Sequence, residues 1–156
     1  MKNRAAVLDL YARLGFASLF GGLVKQMELN QIFLWIALGF SFVGLLAHEF
    51  AGAPRVIPPL AQSGMPDTVK SLHGFSWHVG SIAVIAMIAM FGCAATLENQ
   101  MPMAVIASAM SLGFTLLALG MGMSGHRGLW KTPAPYLWAL VAIMGFGGVL
   151  TSGELV

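Results

Sequence analysis

The sequence predicts an all-α integral membrane protein, an antiparallel bundle of four transmembrane helices. The first observation is composition: of 156 residues, 58% are hydrophobic and only 9% are charged, with a mean hydropathy of +0.81. Average soluble domains carry about 25% charged residues. The second observation is that the charged residues leave four long uncharged gaps. A soluble domain and a disordered chain are therefore excluded, and a net charge of +2 is too small for a nucleic-acid binder.

The four gaps between charged residues are each long enough for a membrane-spanning helix of about 20 residues. Apolar runs such as IAVIAMIAMF lack the alternation of a barrel strand, so helices are the better interpretation. Residues 29–156 are thus predicted to form a transmembrane domain in the lipid bilayer. Its spans are expected at about 31–48, 76–97, 103–124 and 135–152.

The segments between the spans contain the turn-forming residues. Residues 98–102 form a tight connector, so the second and third helices are expected to be antiparallel neighbours. Residues 125–134 join the third and fourth helices. The longest connector, 49–72, contains four prolines and is predicted to follow a bent, non-helical path.

The N-terminal segment 1–28 has two interpretations, an amphipathic interfacial helix or a fifth span. It is apolar enough to span, but Asp9 and Arg13 interrupt it at an i,i+4 spacing that allows them to pair. The same two charges argue against a cleaved signal peptide.

We call the side of the membrane at which the first span ends side X and the opposite side Y. Without a fifth span, each side carries four basic residues, so the positive-inside rule does not decide the orientation. With a fifth span, side X becomes the cytoplasmic face. Side X is also predicted to carry an aromatic belt of Trp77, Trp130, Tyr136 and Trp138, with Trp35 near side Y.

All four histidines are expected at side X. His48 ends the first span, His73 and His78 lie at the entrance to the second, and His126 follows the third. Except for His73, each continues a stripe of small or weakly polar residues of the kind that packs transmembrane helices together. These stripes are Ala37, Ser41 and Gly44 before His48; Ser81 or Ile82, Ile85, Ala89, Gly92 and Thr96 after His78; and Ser108, Ser111, Thr115 and Gly122 before His126.

Three inward histidines at one depth predict a metal or haem site, because imidazole is a common ligand of Zn, Cu, Fe and haem iron. His48, His78 and His126 are the candidate cofactor ligands. The candidate metal ligands for Cu, Fe or Zn are His48, His73, His78, His126 and Glu49. Glu49 could instead orient a ligand or act as a general base. Haem b is the alternative cofactor.

The alternative to ligation is that the histidines are structural or interfacial, or serve in proton relay or substrate binding. A zincin motif is excluded, because Gly52 stands where HExxH requires its second histidine. Cys93 is the only cysteine, so an intrachain disulfide and a CxxC motif are absent, and it is interpreted as a small apolar filler.

Three segments around the histidines resemble a group of small bacterial inner-membrane proteins with about four helices. The segments are HEFAGAPRVIPPL, SLHGFSWHVGSIAV and SGHRGLWKTP, and the matching positions are His48, Gly52, Pro59, Leu60, Trp77, His78, His126 and Trp130. The group favours an acidic residue where this chain has Ala53. The resemblance implies a multi-pass location in a bacterial inner membrane and a role for the histidines of side X, and it implies no activity.

Three functions remain open, and whether the protein is an enzyme is open with them. The first is metal or haem binding for redox chemistry or metal handling. The second is a non-enzymatic accessory or assembly subunit, with other membrane subunits or a second copy of the chain as partner. The third is a metal-dependent membrane hydrolase with Glu49 as the base. A transporter is disfavoured, because the spans carry no Asp, Glu or Arg for an ion path.

Overall fold

A computed structural model of the chain describes residues 28–153, and all regular secondary structure in this range is helical. The elements are α1 at Leu29–Leu46, a π-helical segment at Ala47–Gly52, α2 at Ala53–Ala61, α3 at Asp67–Thr96, α4 at Met101–Met123, a 3-10 helix at Arg127–Lys131 and α5 at Ala134–Thr151. The predictions of an interfacial helix or a fifth span fall on the N-terminal segment, which lies outside the described residues but for its last residue.

Four helices of the described range are long and apolar enough to cross a membrane, judged by length and composition. They are Leu29–Ala61, Asp67–Thr96, Met101–Met123 and Ala134–Thr151. The predicted number and type of elements are therefore confirmed. The last two of these helices, α4 and α5, begin and end within two residues of the predicted spans 103–124 and 135–152.

The prediction of a bent, non-helical connector over 49–72 is wrong, since only residues 62–66 lie outside a helix there. The chain continues from α1 into α2, and α3 begins at Asp67 rather than near residue 76. Pro66 immediately precedes α3, so its missing N–H group removes no hydrogen bond from that helix. Pro54 follows the π-helical segment, and Pro58 and Pro59 lie inside α2, where each lacks the N–H group that an interior helix position donates.

Each long helix packs mainly against two others. α1 and α4 both contact α3 and α5. Fully buried side chains from all four of these helices meet in the core, among them Leu34 of α1, Phe91 of α3, Ala107 of α4 and Val141 of α5. The core is therefore shared among helices that are distant in the sequence, and it fixes which face of each helix points inward.

The small-residue stripes of α1 and α4 are buried as predicted, and so is a similar stripe on α5. They comprise Ala37, Ser41 and Gly44, then Ser108, Ser111, Thr115 and Gly122, then Ala142, Gly145 and Gly148. The stripe predicted for α3 is wrong beyond Ser81, because Ile82 and Ile85 are exposed. α3 instead buries large side chains. A Cβ on Gly145 would lie 2.8 Å from the Phe91 ring, so the small residue on α5 makes room for the large one on α3.

Candidate functional site

The π-helical segment Ala47–Gly52 presents two consecutive ionisable residues, His48 and Glu49, at the end of α1. The N–H of Ala53 donates to the carbonyl of His48, five residues back, instead of to the residue four back as in an α-helix. The α-helical hydrogen-bond pattern is therefore already interrupted before Pro54, which has no N–H to donate. Gly52 favours close packing, since a Cβ there would lie 3.0 Å from the Trp77 ring. Short π-helical insertions are frequent at functional sites.

His48 stacks on Trp77 of α3. The two ring centroids are 3.9 Å apart and the ring planes differ by 10°. The Nε2 atom of His48 lies 3.3 Å from the backbone carbonyl oxygen of Trp77. A carbonyl oxygen only accepts hydrogen bonds, so Nε2 carries the proton and donates, and in the neutral ring Nδ1 is left as the acceptor.

Glu49 is held by Ser81, whose hydroxyl donates a short hydrogen bond to the Glu49 carboxylate. Ser81 is 8% exposed and also lies within 3.3 Å of the Trp77 carbonyl. The other buried hydroxyls each donate to a backbone carbonyl of their own helix. They belong to Ser41 of α1 and to Ser108, Ser111 and Thr115 of α4. In the part of the chain described, Ser81 is the buried hydroxyl that reaches a side chain of another helix.

Trp77 is the site residue that sequence reasoning placed elsewhere. It was predicted to belong to an aromatic belt, but it is half-buried, and its indole Nε1 is buried without a hydrogen-bond partner among the described residues. Trp138 also leaves the predicted belt, since it packs against Gly44 and, edge to face, against Phe114. The i,i+4 spacing of Trp77 and Ser81 was the signal that could have placed Trp77 on the inner face of α3.

Two cavities flank the π-helical segment, one on the side of His48 and the other on the side of Glu49. The His48 cavity, about 260 Å³, is lined by His48, Gly80, Val84, Phe114, Leu117, Ala118, Met121, Leu129, Ala134 and Trp138. The Glu49 cavity, about 450 Å³, is lined by Leu45, Leu46, Glu49, Phe50, His78, Ser81 and Ile85. Adjacent residues of one chain segment therefore face two different chemical environments.

The five predicted ligands are only partly brought together. Glu49 and His78 line the same cavity, whereas His48 lines the other. His73 is exposed on α3 and lines neither cavity. His126 lies after the end of α4, also exposed, with its Nδ1 3.3 Å from the carbonyl oxygen of Met121.

The expectation that His78 and His126 face the interior is therefore wrong, because both are exposed. On α3 the inner face passes through Trp77 and Ser81, one position away from His78. On α4 the helix ends before His126, and Trp130 covers the last small residue of the stripe, Gly122. Within residues 28–153, no group of three or more His, Cys, Asp or Glu side chains is placed to hold a metal ion.

Comparison with known proteins finds no matching family model, no matching curated protein and no matching solved structure. The site is therefore interpreted from its own geometry. The resemblance to small bacterial inner-membrane proteins stays a prediction.

Proposed function

We propose that this chain is a multi-pass membrane protein that binds one divalent transition-metal ion in the Glu49 cavity, near side X. The four long helices would cross the bilayer as an antiparallel bundle. Their lengths support this arrangement. The 33 residues of Leu29–Ala61 extend about 50 Å and the 30 residues of α3 about 45 Å, compared with about 30 Å of hydrocarbon.

The two potential ligands lie at a similar depth in this arrangement. His48 and Glu49 follow the 18 residues of α1, which rise about 27 Å from Leu29. His78 lies 18 residues before the opposite end of α3 at Thr96, a rise of about 27 Å as well. Both therefore reach the same boundary of a bilayer about 30 Å thick, where an ion can arrive from water.

The observation that carries the metal proposal is that Glu49 and His78 line one cavity. Carboxylate oxygen and imidazole nitrogen are ligands of Zn²⁺, Mn²⁺, Fe²⁺ and Cu²⁺. Ser81 orients the carboxylate in the way that neighbours of metal ligands do. With two protein ligands, water or a substrate atom would fill the remaining coordination positions, which is the condition for chemistry at the metal.

The test is metal titration of the purified, chelator-treated protein in mild detergent, with Co²⁺ as a coloured substitute for Zn²⁺. We expect one ion per chain, and at least tenfold weaker binding in Glu49→Gln and in His78→Ala. Glu49→Gln keeps the side-chain shape and an oxygen that accepts from Ser81, so the fold should persist.

The matched controls are His73→Ala and His126→Ala, which remove histidines that line neither cavity. Both variants should bind the ion as the unmodified protein does. The proposal is refuted if the unmodified protein does not bind one ion per chain. It is also refuted if Glu49→Gln and His78→Ala bind the ion as tightly as the unmodified protein does.

Haem b remains the other cofactor prediction, and the geometry favours it less. The Nε2 of His48 is directed at the Trp77 carbonyl, and no second histidine of the described range lines the His48 cavity. A haem absorption band in the purified protein that disappears in His48→Ala would establish haem instead. The accessory-subunit and hydrolase functions also stay predictions.

A further inference from the structure

The His48 cavity is a second candidate site, independent of the metal proposal. It lies among helices α3, α4 and α5 beside the π-helical segment, and its lining is apolar apart from the rings of His48 and Trp138. We propose that it binds a small phenol-class molecule, a single apolar ring that carries one hydroxyl group.

The volume and the aromatic lining of the cavity suit one ring. Its volume of about 260 Å³ lies just below the range of about 300–1,000 Å³ typical of drug-sized ligands. Phe114 and Trp138 form one wall, with ring centroids 5.4 Å apart and planes at 65°. Aromatic rings favour such edge-to-face contacts, so a third ring would extend an arrangement that already exists.

Small residues create the space beside the imidazole. A Cβ on Gly80 would lie 3.8 Å from the Nε2 atom of His48, and Ala118 lines the cavity from α4. A larger side chain at Ala118 would project into the volume that a ring occupies. The cavity is therefore bounded by aromatic rings, by a histidine and by residues that leave room.

The hydrogen bonding of His48 selects the polar group of the ligand. Because Nε2 donates to the Trp77 carbonyl, Nδ1 of the neutral ring can only accept. A partner for Nδ1 must carry a donor, which a hydroxyl does and an ether or a ketone does not. A lipid acyl chain would fill the same apolar space without any hydrogen bond.

The experiment compares 4-bromophenol with its methyl ether, 4-bromoanisole, on the purified protein in detergent. Bromine quenches indole fluorescence on contact. In a background with Trp35→Phe and Trp130→Phe, Trp138 and the Trp77 ring stacked on His48 therefore report occupancy of the cavity. We expect the phenol to bind roughly three- to tenfold more tightly than the ether, the contribution of one hydrogen bond. His48→Leu should equalise the two affinities, and Ala118→Phe should abolish quenching by both probes.

His126→Leu is the matched control, since it removes a histidine that lies outside the cavity. It should leave both affinities unchanged. If His48→Leu does not fold, His48→Phe removes the acceptor and keeps a ring that can stack on Trp77, and it should likewise equalise the two affinities. Equal affinities for phenol and ether in the unmodified protein would overturn the proposal in favour of a lipid-chain groove. Unchanged quenching in Ala118→Phe would overturn it too. No metal enters this readout, so it succeeds or fails separately from the metal titration.

Discussion

At the scale of single residues, Trp77 connects the parts of the site. Its ring stacks on His48, and its carbonyl lies within hydrogen-bonding distance of both His48 and Ser81. Ser81 in turn holds Glu49. Any displacement of Trp77 would therefore move both cavities. Its ring supplies this contact through packing, since the indole Nε1 has no partner among the residues described.

Substitutions of Trp77 should separate the ring from its N–H group. Trp77→Phe keeps an aromatic ring and removes a buried donor, whose lack of a partner costs about 1–3 kcal/mol. Removing this unpartnered donor stabilises the variant and offsets the packing that the smaller ring loses. We therefore expect the free energy of unfolding of Trp77→Phe to stay within about 1 kcal/mol of that of the unmodified protein. Trp77→Ala should lose about 2–4 kcal/mol. Denaturant unfolding in mild detergent measures both. A loss in Trp77→Phe as large as in Trp77→Ala would show that the N–H group is bonded.

The sequence was sufficient to locate His48 and Glu49 at the end of a span, and insufficient to identify what they contact. A tryptophan near a span end fits a membrane interface equally well. Whether Trp77 or its neighbour His78 faces inward depends on a rotation of about 100° per residue about the helix axis. Only the packing of α3 against α1 and the π-helical segment decides that rotation.

At the scale of the helices, charge gaps predicted the apolar spans well, because each gap records the length of chain without charged groups. They did not predict how far α1 and α3 continue beyond the apolar part. The four prolines of 49–72 suggested an irregular connector, yet Pro54 and Pro66 lie at helix starts and α2 continues through Pro58 and Pro59. The predicted small-residue stripes are buried on α1 and α4, whereas the core positions of α3 hold Met87 and Phe91.

Glycine substitutions test this division between small and large faces. A Cβ on Gly145 would approach Ser108 and the Phe91 ring too closely, whereas a Cβ on Gly113 meets nothing within 4 Å. Gly145→Ala should therefore lower the free energy of unfolding by about 1–3 kcal/mol. Gly113→Ala should be neutral or add up to about 1 kcal/mol through helix propensity. Thermal unfolding in detergent compares the two variants, and equal stability of the two would contradict the close approach of Gly145 to Ser108 and to the Phe91 ring.

At the scale of the whole molecule, the site lies at the end at which the two longest helices would extend beyond a bilayer in the proposed arrangement. α2 and the first turns of α3 lie past the depth of Glu49 and His78, so they would frame the approach from water to the Glu49 cavity. The His48 cavity lies among α3, α4 and α5 and is lined by apolar residues. One end of the protein would thus carry a cavity with a carboxylate residue and a histidine beside a second cavity that is almost wholly apolar.

The proposed four-span topology requires the turns 62–66 and 124–133 to lie on one side of the membrane and residues 97–100 on the other. Single cysteines at Gly64, Gly128 and Glu98, introduced into a Cys93→Ala background, test it with a membrane-impermeant maleimide on sealed vesicles. Gly64→Cys and Gly128→Cys should label from the same side, and Glu98→Cys only after the vesicles are opened or inverted. All three positions are exposed in the isolated chain, so detergent-solubilised protein should label fully at each and serves as the control. Labelling of all three from one side in sealed vesicles would exclude the four-span topology, because α3 and α4 could then not both cross the bilayer.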